Sequence, residues 1–126
     1  MARRRVLIID DEPVLGEALC ELLSEVHDVE LATTARDGVR RLREDASFEV
    51  VLCDLQLRDA SAVDVYTAYR ATWPGREGRI VFVSGGTTDD ALLRFLETTD
   101  NRYLSKPFDV EELPRVIEEV AFATAS

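Results

Sequence analysis

The sequence has 126 residues, of which 46% are hydrophobic and 32% are charged, as is typical of one folded domain that can bury its own core. Its 25 acidic and 15 basic residues give a formal net charge of −10, which repels nucleic-acid phosphates and argues against direct nucleic-acid binding. No stretch is long and apolar enough to span a membrane, and the apolar run after the N-terminal arginines is too short for a signal peptide, so we expect a cytoplasmic protein.

The first strand–helix unit is the clearest pattern near the start of the chain. An apolar run at 6–9 predicts a strand, and Pro13 after it suits the first turn of a helix. His27, in the turn after this helix, is interpreted as a surface residue because it lies far from every motif. The apolar positions of the helix recur at three- and four-residue steps and are Leu15, Ala18, Leu19, Leu22 and Val26.

The next two units repeat this plan. A weaker strand at 29–32 precedes Thr33 and Thr34, either of which can cap the following helix. The apolar face of that helix is Ala35, Val39 and Leu42. A strong apolar run at 48–53 predicts the third strand, and a helical pattern over 62–71 is ended by a Trp-Pro-Gly turn.

The last two units complete the pattern. The run at 80–83 predicts a fourth strand, 89–97 a short helix, and 103–104 a fifth strand. Asp109 is placed to cap a final helix, in which Pro114 predicts a local irregularity because it lies past the first helical position. The apolar positions of this helix are Val110, Leu113, Val116, Ile117 and Val120.

Five strand–helix units with three uninterrupted apolar strands predict the fold class. Strands without alternation are usually buried on both faces, as in a parallel sheet that helices cover on both sides. We therefore predict one α/β domain over residues 1–126, a doubly wound, flavodoxin-like, five-stranded parallel sheet with strand order 2-1-3-4-5 and helices on both faces. Cys20 and Cys53 lie among apolar residues and are expected to be reduced core thiols.

Polar residues follow the predicted strands at the points where the strands end. Asp10 and Asp11 follow the first strand, Asp54 the third, Ser84 the fourth and Lys106 the fifth. Because ligands of open parallel sheets bind at the carboxyl ends of the strands, we expect these five residues to converge. Three close carboxylates repel one another unless a cation joins them, and Mg²⁺ prefers such oxygen ligands.

The same residue types suit phosphoryl transfer. Asp54 would be the nucleophile that forms an acyl phosphate. Lys106 would pair with one phosphoryl oxygen as a point charge, and Ser84 would donate a hydrogen bond to another. Backbone N–H groups after Asp54 and around Gly85 would add further donors.

The motifs at the strand ends resemble those of the receiver domains of bacterial two-component response regulators and hybrid histidine kinases. The resemblance covers essentially the whole chain and rests on four motifs in order, LIIDDE at 7–12, VLCDLQL at 51–57, VFVSGG at 81–86 and YLSKPF at 103–108. Each motif is weak alone, whereas the ordered set at the ends of apolar strands is a strong signal.

The resemblance implies a role for each of these residues. Asp54 is the phosphoacceptor, Ser84 the switch hydroxyl and Lys106 the lysine that contacts the phosphoryl group. Mg²⁺ is the implied cofactor, with the ligands Asp10, Asp11, Asp54 and the backbone carbonyl of Gln56. Tyr103 matches the switch aromatic, whose ring turns inward when the hydroxyl engages the phosphoryl group, and the Lys106-Pro107 peptide bond is expected to be cis.

The chain departs from the family pattern in two loops. Leu57-Arg58 stands where the family usually has Met-Pro, and Ala62 stands where it has Gly. We therefore expect the loop after Asp54 to differ in shape and Arg58 to contact a partner. Gly85 stands where Ala is usual and Gly86 follows it, which predicts a more mobile loop.

The implied function is that of a phosphoacceptor signalling domain in a two-component phosphorelay, not an enzyme beyond self-catalysed phosphotransfer and autodephosphorylation. Its donor would be the phosphohistidine of a histidine kinase or a histidine phosphotransfer protein. Its output would be a downstream effector or an attached domain, contacted through the face that the fourth helix, fifth strand and fifth helix build. Phosphorylation would then shift the populations of a two-state surface.

Three other functions fit the fold class less well. A pseudo-receiver that only binds proteins is the alternative, although it predicts a missing acid, lysine or acceptor and the sequence lacks none of them. A phosphatase that passes through an aspartyl phosphate would need an acid in place of Gln56. A dinucleotide-binding domain would need a Gly-rich loop after the first strand, and the sequence has acidic residues there.

Overall fold

The computed structural model describes residues 2–124 and shows a five-stranded parallel sheet with strand order β2-β1-β3-β4-β5. The strands are β1 (Arg5–Ile9), β2 (Asp28–Ala32), β3 (Val50–Asp54), β4 (Ile80–Ser84) and β5 (Tyr103–Ser105). The helices are α1 (Pro13–Leu23), α2 (Ala35–Glu44), α3 (Ala62–Thr72), α4 (Asp90–Thr98) and α5 (Glu112–Thr124), with a short 3-10 helix at Arg76–Arg79. The predicted doubly wound fold and strand order are confirmed.

The three apolar strands are buried on both faces, as their uninterrupted patterns predicted. Successive side chains of a strand point to opposite faces, so Leu7 and Ile9 enter one core while Val6 and Ile8 enter the other. Helices α2, α3 and α4 cover the first core, and α1 and α5 cover the second. Among residues 2–124, no helix is both long and apolar enough to cross a membrane.

Two helix starts follow from local sequence. The Thr34 hydroxyl accepts a hydrogen bond from the Asp37 N–H, so Thr34 is the cap of α2. Ser61 and Asp64 form a reciprocal capping box at the start of α3. These caps satisfy backbone donors that a helix cannot satisfy within its first turn.

The buried face of α1 differs from the sequence prediction. The helix ends at Leu23 and buries Gly16, Leu19 and Leu23, whereas Leu22 and Val26 are exposed. A methyl group added at Gly16 would lie 3.0 Å from the Leu31 side chain. The missing side chain of Gly16 thus lets α1 approach the sheet on this face, which a count of apolar residues alone does not reveal.

The last helix starts three residues later than the expected cap. The carboxylate of Asp109 accepts the N–H of Glu111 in a turn that precedes α5, and the helix begins at Glu112. Pro114 therefore lies in the first turn, where N–H groups have no partner within the helix. Consequently Pro114 does not interrupt α5, contrary to the irregularity that the sequence predicted.

His27 is a core residue, and the prediction of a surface histidine was wrong. Its side chain is only 1% exposed. Nδ1 accepts the backbone N–H of Arg4 at 3.0 Å, whereas Nε2 is buried without a hydrogen-bond partner among the described residues. The turn after α1 thus packs beneath the start of β1, a contact between segments that are 23 residues apart.

We expect His27 to make the fold less stable in acid. Burial lowers the pKa of His27, Glu118 and Glu49 oppose this effect, and Arg3 and Arg4 reinforce it. The unfolded chain binds a proton at His27 more readily than the folded chain does. The contribution of neutral His27 to the free energy of unfolding is therefore complete above about pH 6.5. It decreases as the pH falls from there toward the folded-state pKa, by at most about 1.4 kcal/mol per pH unit.

Urea unfolding of the wild type and of His27→Gln between pH 7.5 and pH 5 tests this expectation. The wild type should lose stability relative to the variant as the pH falls, since the two proteins share all other titrating groups. Parallel stability curves would contradict a neutral histidine in the core.

Candidate functional site

Three carboxylates meet at the carboxyl end of the sheet. Asp10 and Asp11 directly follow β1, and Asp54 is the last residue of β3. One oxygen atom from each carboxylate lies within 4.8 Å of the other two. The neighbouring strands β1 and β3 therefore bring together the acidic residues that the sequence placed at their ends.

Asp10 is the buried member of this cluster, with a residue exposure of 4%. Its Oδ1 accepts the Glu12 N–H at 2.8 Å. Burial is the main reason that the pKa of Asp10 is raised, and the charge of Asp54 acts in the same direction, while the Glu12 N–H and Lys106 oppose it. A cation beside Asp10, such as the Lys106 ammonium, therefore favours the charged form of this buried carboxylate.

Lys106, the single lysine of the chain, pairs with two of the carboxylates. Its Nζ lies 2.9 Å from Asp54 Oδ2 and 3.5 Å from Asp10 Oδ2. Burial acts against the charged ammonium, but the hydrogen bond and charge of Asp54, with Asp10 and Glu12, outweigh it and raise the pKa of Lys106. The Lys106 N–H donates to the Ser84 carbonyl at 2.7 Å, and the bond to Pro107 is cis, as expected.

Asp54 is held from both sides. Its Oδ1 accepts the Gln56 N–H at 3.1 Å, and its Oδ2 faces Lys106. Gln56 also forms an isolated antiparallel β-bridge with Ser61, which holds the two ends of the loop after β3 close together. The carboxylate is thereby fixed at the mouth of the site, with a backbone donor beside it.

Ser84 ends β4 and is buried. Its hydroxyl accepts the Gly86 N–H at 3.1 Å. Gly86 has a φ of 99°, a left-handed conformation that favours glycine. Backbone geometry therefore explains why a glycine stands at position 86. Its left-handed conformation turns the loop so that the Gly86 N–H reaches the Ser84 hydroxyl.

Tyr103 is the predicted site residue that lies apart from the others. It is 40% exposed on β5 and is opposite Phe82 in the strand pairing. Among residues 2–124 its ring takes part in no aromatic pair and no hydrogen bond, whereas Phe82 forms an edge-on aromatic pair with Phe95. The ring is thus oriented outward.

The loop after β3 contains two contacts that sequence reasoning missed. The Arg58 N–H donates to Asp11 Oδ2 at 2.6 Å. The Asp59 carboxylate accepts the N–H groups of Ala35 and Arg36 at the start of α2, each at 3.0 Å. The only sequence signal for the second contact was that Asp59 is an acidic residue in the loop after Asp54. That signal does not identify the start of α2, 23 residues away, as its partner.

Removal of the Asp59 carboxylate should destabilise the domain modestly. Asp59→Ala leaves two helix donors without their acceptor, and we expect a loss of about 1 kcal/mol in the free energy of unfolding. Asp59→Asn keeps one acceptor oxygen and should lose less. Chemical denaturation of both variants checks this order, which equal losses would contradict.

Comparison with known proteins gives a consistent family. The family model described as the response regulator receiver domain matches residues 6–118. The probable transcriptional regulatory protein TcrX of Mycobacterium tuberculosis is 33% identical over 114 residues, which cover 86% of this chain and 45% of TcrX. The chain spans about half or less of the length of the curated relatives it matches.

Solved structures share the fold. The CheY-like response regulator receiver domain protein of Methanospirillum hungatei superposes with a TM-score of 0.84 at 23% identity, covering 98% of this chain and 97% of that one. The receiver domain of the sensor histidine kinase PA1611 of Pseudomonas aeruginosa, solved with a magnesium ion in its active site cleft, has a TM-score of 0.79 at 24% identity, covering 96% and 99%.

Proposed function

The chain belongs to the response regulator receiver domain family, and we propose that its Asp54 accepts a phosphoryl group from a phosphohistidine, with Mg²⁺ as cofactor. The observation that carries the proposal is the position of Asp54. Its carboxylate lies between the Lys106 ammonium and the Gln56 N–H and beside two further acids.

The acidic cluster fits Mg²⁺. Its donors are carboxylate oxygens that lie within 4.8 Å of one another, and hard oxygen ligands are those that Mg²⁺ prefers. Asp10, Asp11, Asp54 and the backbone carbonyl of Gln56 would hold the ion, which would neutralise charge on a phosphoryl oxygen when bound. The magnesium ion in the PA1611 structure supports the same cofactor here.

The chain's own residues would then carry the transfer. An Asp54 oxygen attacks phosphorus, a P–O bond forms, and the P–N bond to the donor imidazole breaks with its electron pair returning to the nitrogen, which takes up a proton. The Lys106 ammonium already contacts Asp54 Oδ2 and would pair with a phosphoryl oxygen once negative charge develops there. Ser84 would turn its hydroxyl from the Gly86 N–H to donate to another.

Phosphorylation would act as a switch in signalling rather than as turnover of a substrate. Movement of Ser84 toward the phosphoryl group would leave space near β5, into which the outward ring of Tyr103 would turn. The face of α4, β5 and α5 would change and present itself to an effector or an attached domain. The donor partner would be a histidine kinase or a histidine phosphotransfer protein.

Intact-mass spectrometry after incubation with acetyl phosphate tests this function. We expect one added phosphoryl group with Mg²⁺ and none after EDTA treatment. A protein with no adduct, and no spectral response to beryllofluoride with Mg²⁺, would instead be a pseudo-receiver that serves only protein contacts. A beryllofluoride response without an adduct would indicate a phosphoryl group that is lost too quickly to weigh.

A further inference from the structure

The loop after β3 brings a second cation to the rim of the acidic cluster. Beyond the N–H bond to Asp11 Oδ2, Nε of Arg58 lies 3.9 Å from the same oxygen. The Asp11 side chain is 14% exposed, whereas that of Arg58 is 84% exposed. The backbone contact therefore fixes where Arg58 stands, while its guanidinium extends into solvent at the mouth of the site.

Arg58 and Lys106 divide the three carboxylates between them. Lys106 pairs with Asp10 and Asp54, and within the described chain Asp11 has its only ion pair with Arg58. Two side-chain cations thus face three carboxylates. Without Arg58, the cluster would keep one more unit of negative charge for an incoming ion to meet.

We propose that Arg58 is a specificity-determining residue of this site, which weakens the binding of a free divalent cation and strengthens the binding of an anionic phosphoryl donor. A single cause produces both effects. A positive charge beside Asp11 repels Mg²⁺ and attracts phosphoryl oxygens that approach Asp54. The inference rests on the proposed function, since it assigns Asp11 to the cation and Asp54 to the donor.

The exposure of Arg58 sets the size of the effect. An exposed ion pair is screened by water and salt, so its charge changes an affinity by a few-fold rather than by orders of magnitude. We expect Arg58→Gln, which keeps the N–H and the approximate length of the side chain, to bind Mg²⁺ about two- to five-fold more tightly than the wild type. Arg58→Lys, which keeps the charge, should stay close to the wild type.

Nuclear magnetic resonance titration with MgCl₂, followed by amide shifts, measures this affinity without any phosphoryl transfer. Arg94 on α4 provides the matched control, because it is exposed and has no ion pair within the described chain. Arg94→Gln changes the net charge equally and should leave the Mg²⁺ affinity unchanged. A salt titration should reduce the difference between Arg58→Gln and the wild type.

The second effect, on binding of the phosphoryl donor, is measured at saturating Mg²⁺. The quantity measured is the initial rate of labelling by acetyl phosphate at concentrations below half-saturation. Arg58→Gln should label about two- to five-fold more slowly, and Arg94→Gln should not differ from the wild type.

An Arg58→Gln variant with unchanged or weaker Mg²⁺ binding, or with an unchanged labelling rate, would overturn the inference. A wild type that binds Mg²⁺ but neither takes up the phosphoryl group nor responds to beryllofluoride would overturn the proposed function instead. In that case tighter Mg²⁺ binding by Arg58→Gln would still support its effect on the cation.

Discussion

Asp54→Asn is expected to abolish labelling by acetyl phosphate under conditions that label the wild type fully. The amide keeps an oxygen for the Gln56 N–H but is a poor nucleophile and cannot form an acyl phosphate. The other two acids and Lys106 remain, so a loss of labelling reports the acceptor and not the whole site. Intact-mass spectrometry gives the stoichiometry directly.

Asp59→Asn and Asp64→Asn are the matched controls for this variant. They remove acids from the same loop and from the start of α3, and neither contacts Asp54. Both should still take up one phosphoryl group. Labelling of Asp54→Asn at the wild-type level, with its fold confirmed by circular dichroism, would show that another residue accepts the group.

Lys106→Met is expected to slow labelling by about a hundredfold or more, because a preorganised charge that stabilises the transferring group contributes about 2.7–4 kcal/mol. Methionine keeps an unbranched side chain of similar length and removes only the ammonium. No other lysine in the chain could substitute for it. Labelling rates at saturating Mg²⁺ measure the loss, and Arg115→Met, an exposed change on α5, is the charge control.

The same variant should be less stable without Mg²⁺. Lys106 is the partner of Asp54 and of the buried Asp10, and loss of one member of such a group costs about 1–3 kcal/mol. Mg²⁺ should restore part of this stability, since it supplies the missing positive charge. For the labelling rate, a Lys106→Met variant that labels as fast as the wild type would contradict the role given to Lys106 in the transfer.

The positions of the site residues could be predicted because they depend on strand ends. Asp10, Asp54 and Ser84 each follow or end an uninterrupted apolar run, and parallel strands bring such ends to one edge. The cap at Thr34 was also local, since its partner is three residues away. Patterns within a few residues were sufficient for these features.

The features that the sequence did not reveal depend on contacts between distant segments. His27 is buried and accepts a hydrogen bond from the backbone of Arg4, and Asp59 has its partners at the start of α2. Which face of α1 is buried depends on the close approach of Gly16 to the Leu31 side chain. No local pattern specifies which segment will pack against such a residue.

Borohydride trapping followed by peptide mass mapping identifies the phosphoacceptor directly. Borohydride reduces an aspartyl phosphate to homoserine, so the acceptor is recorded in the peptide itself. After labelling with acetyl phosphate and Mg²⁺, we expect homoserine at position 54 and at no other acid. Homoserine at a different position, or none in a sample whose intact mass shows the phosphoryl adduct, would contradict it.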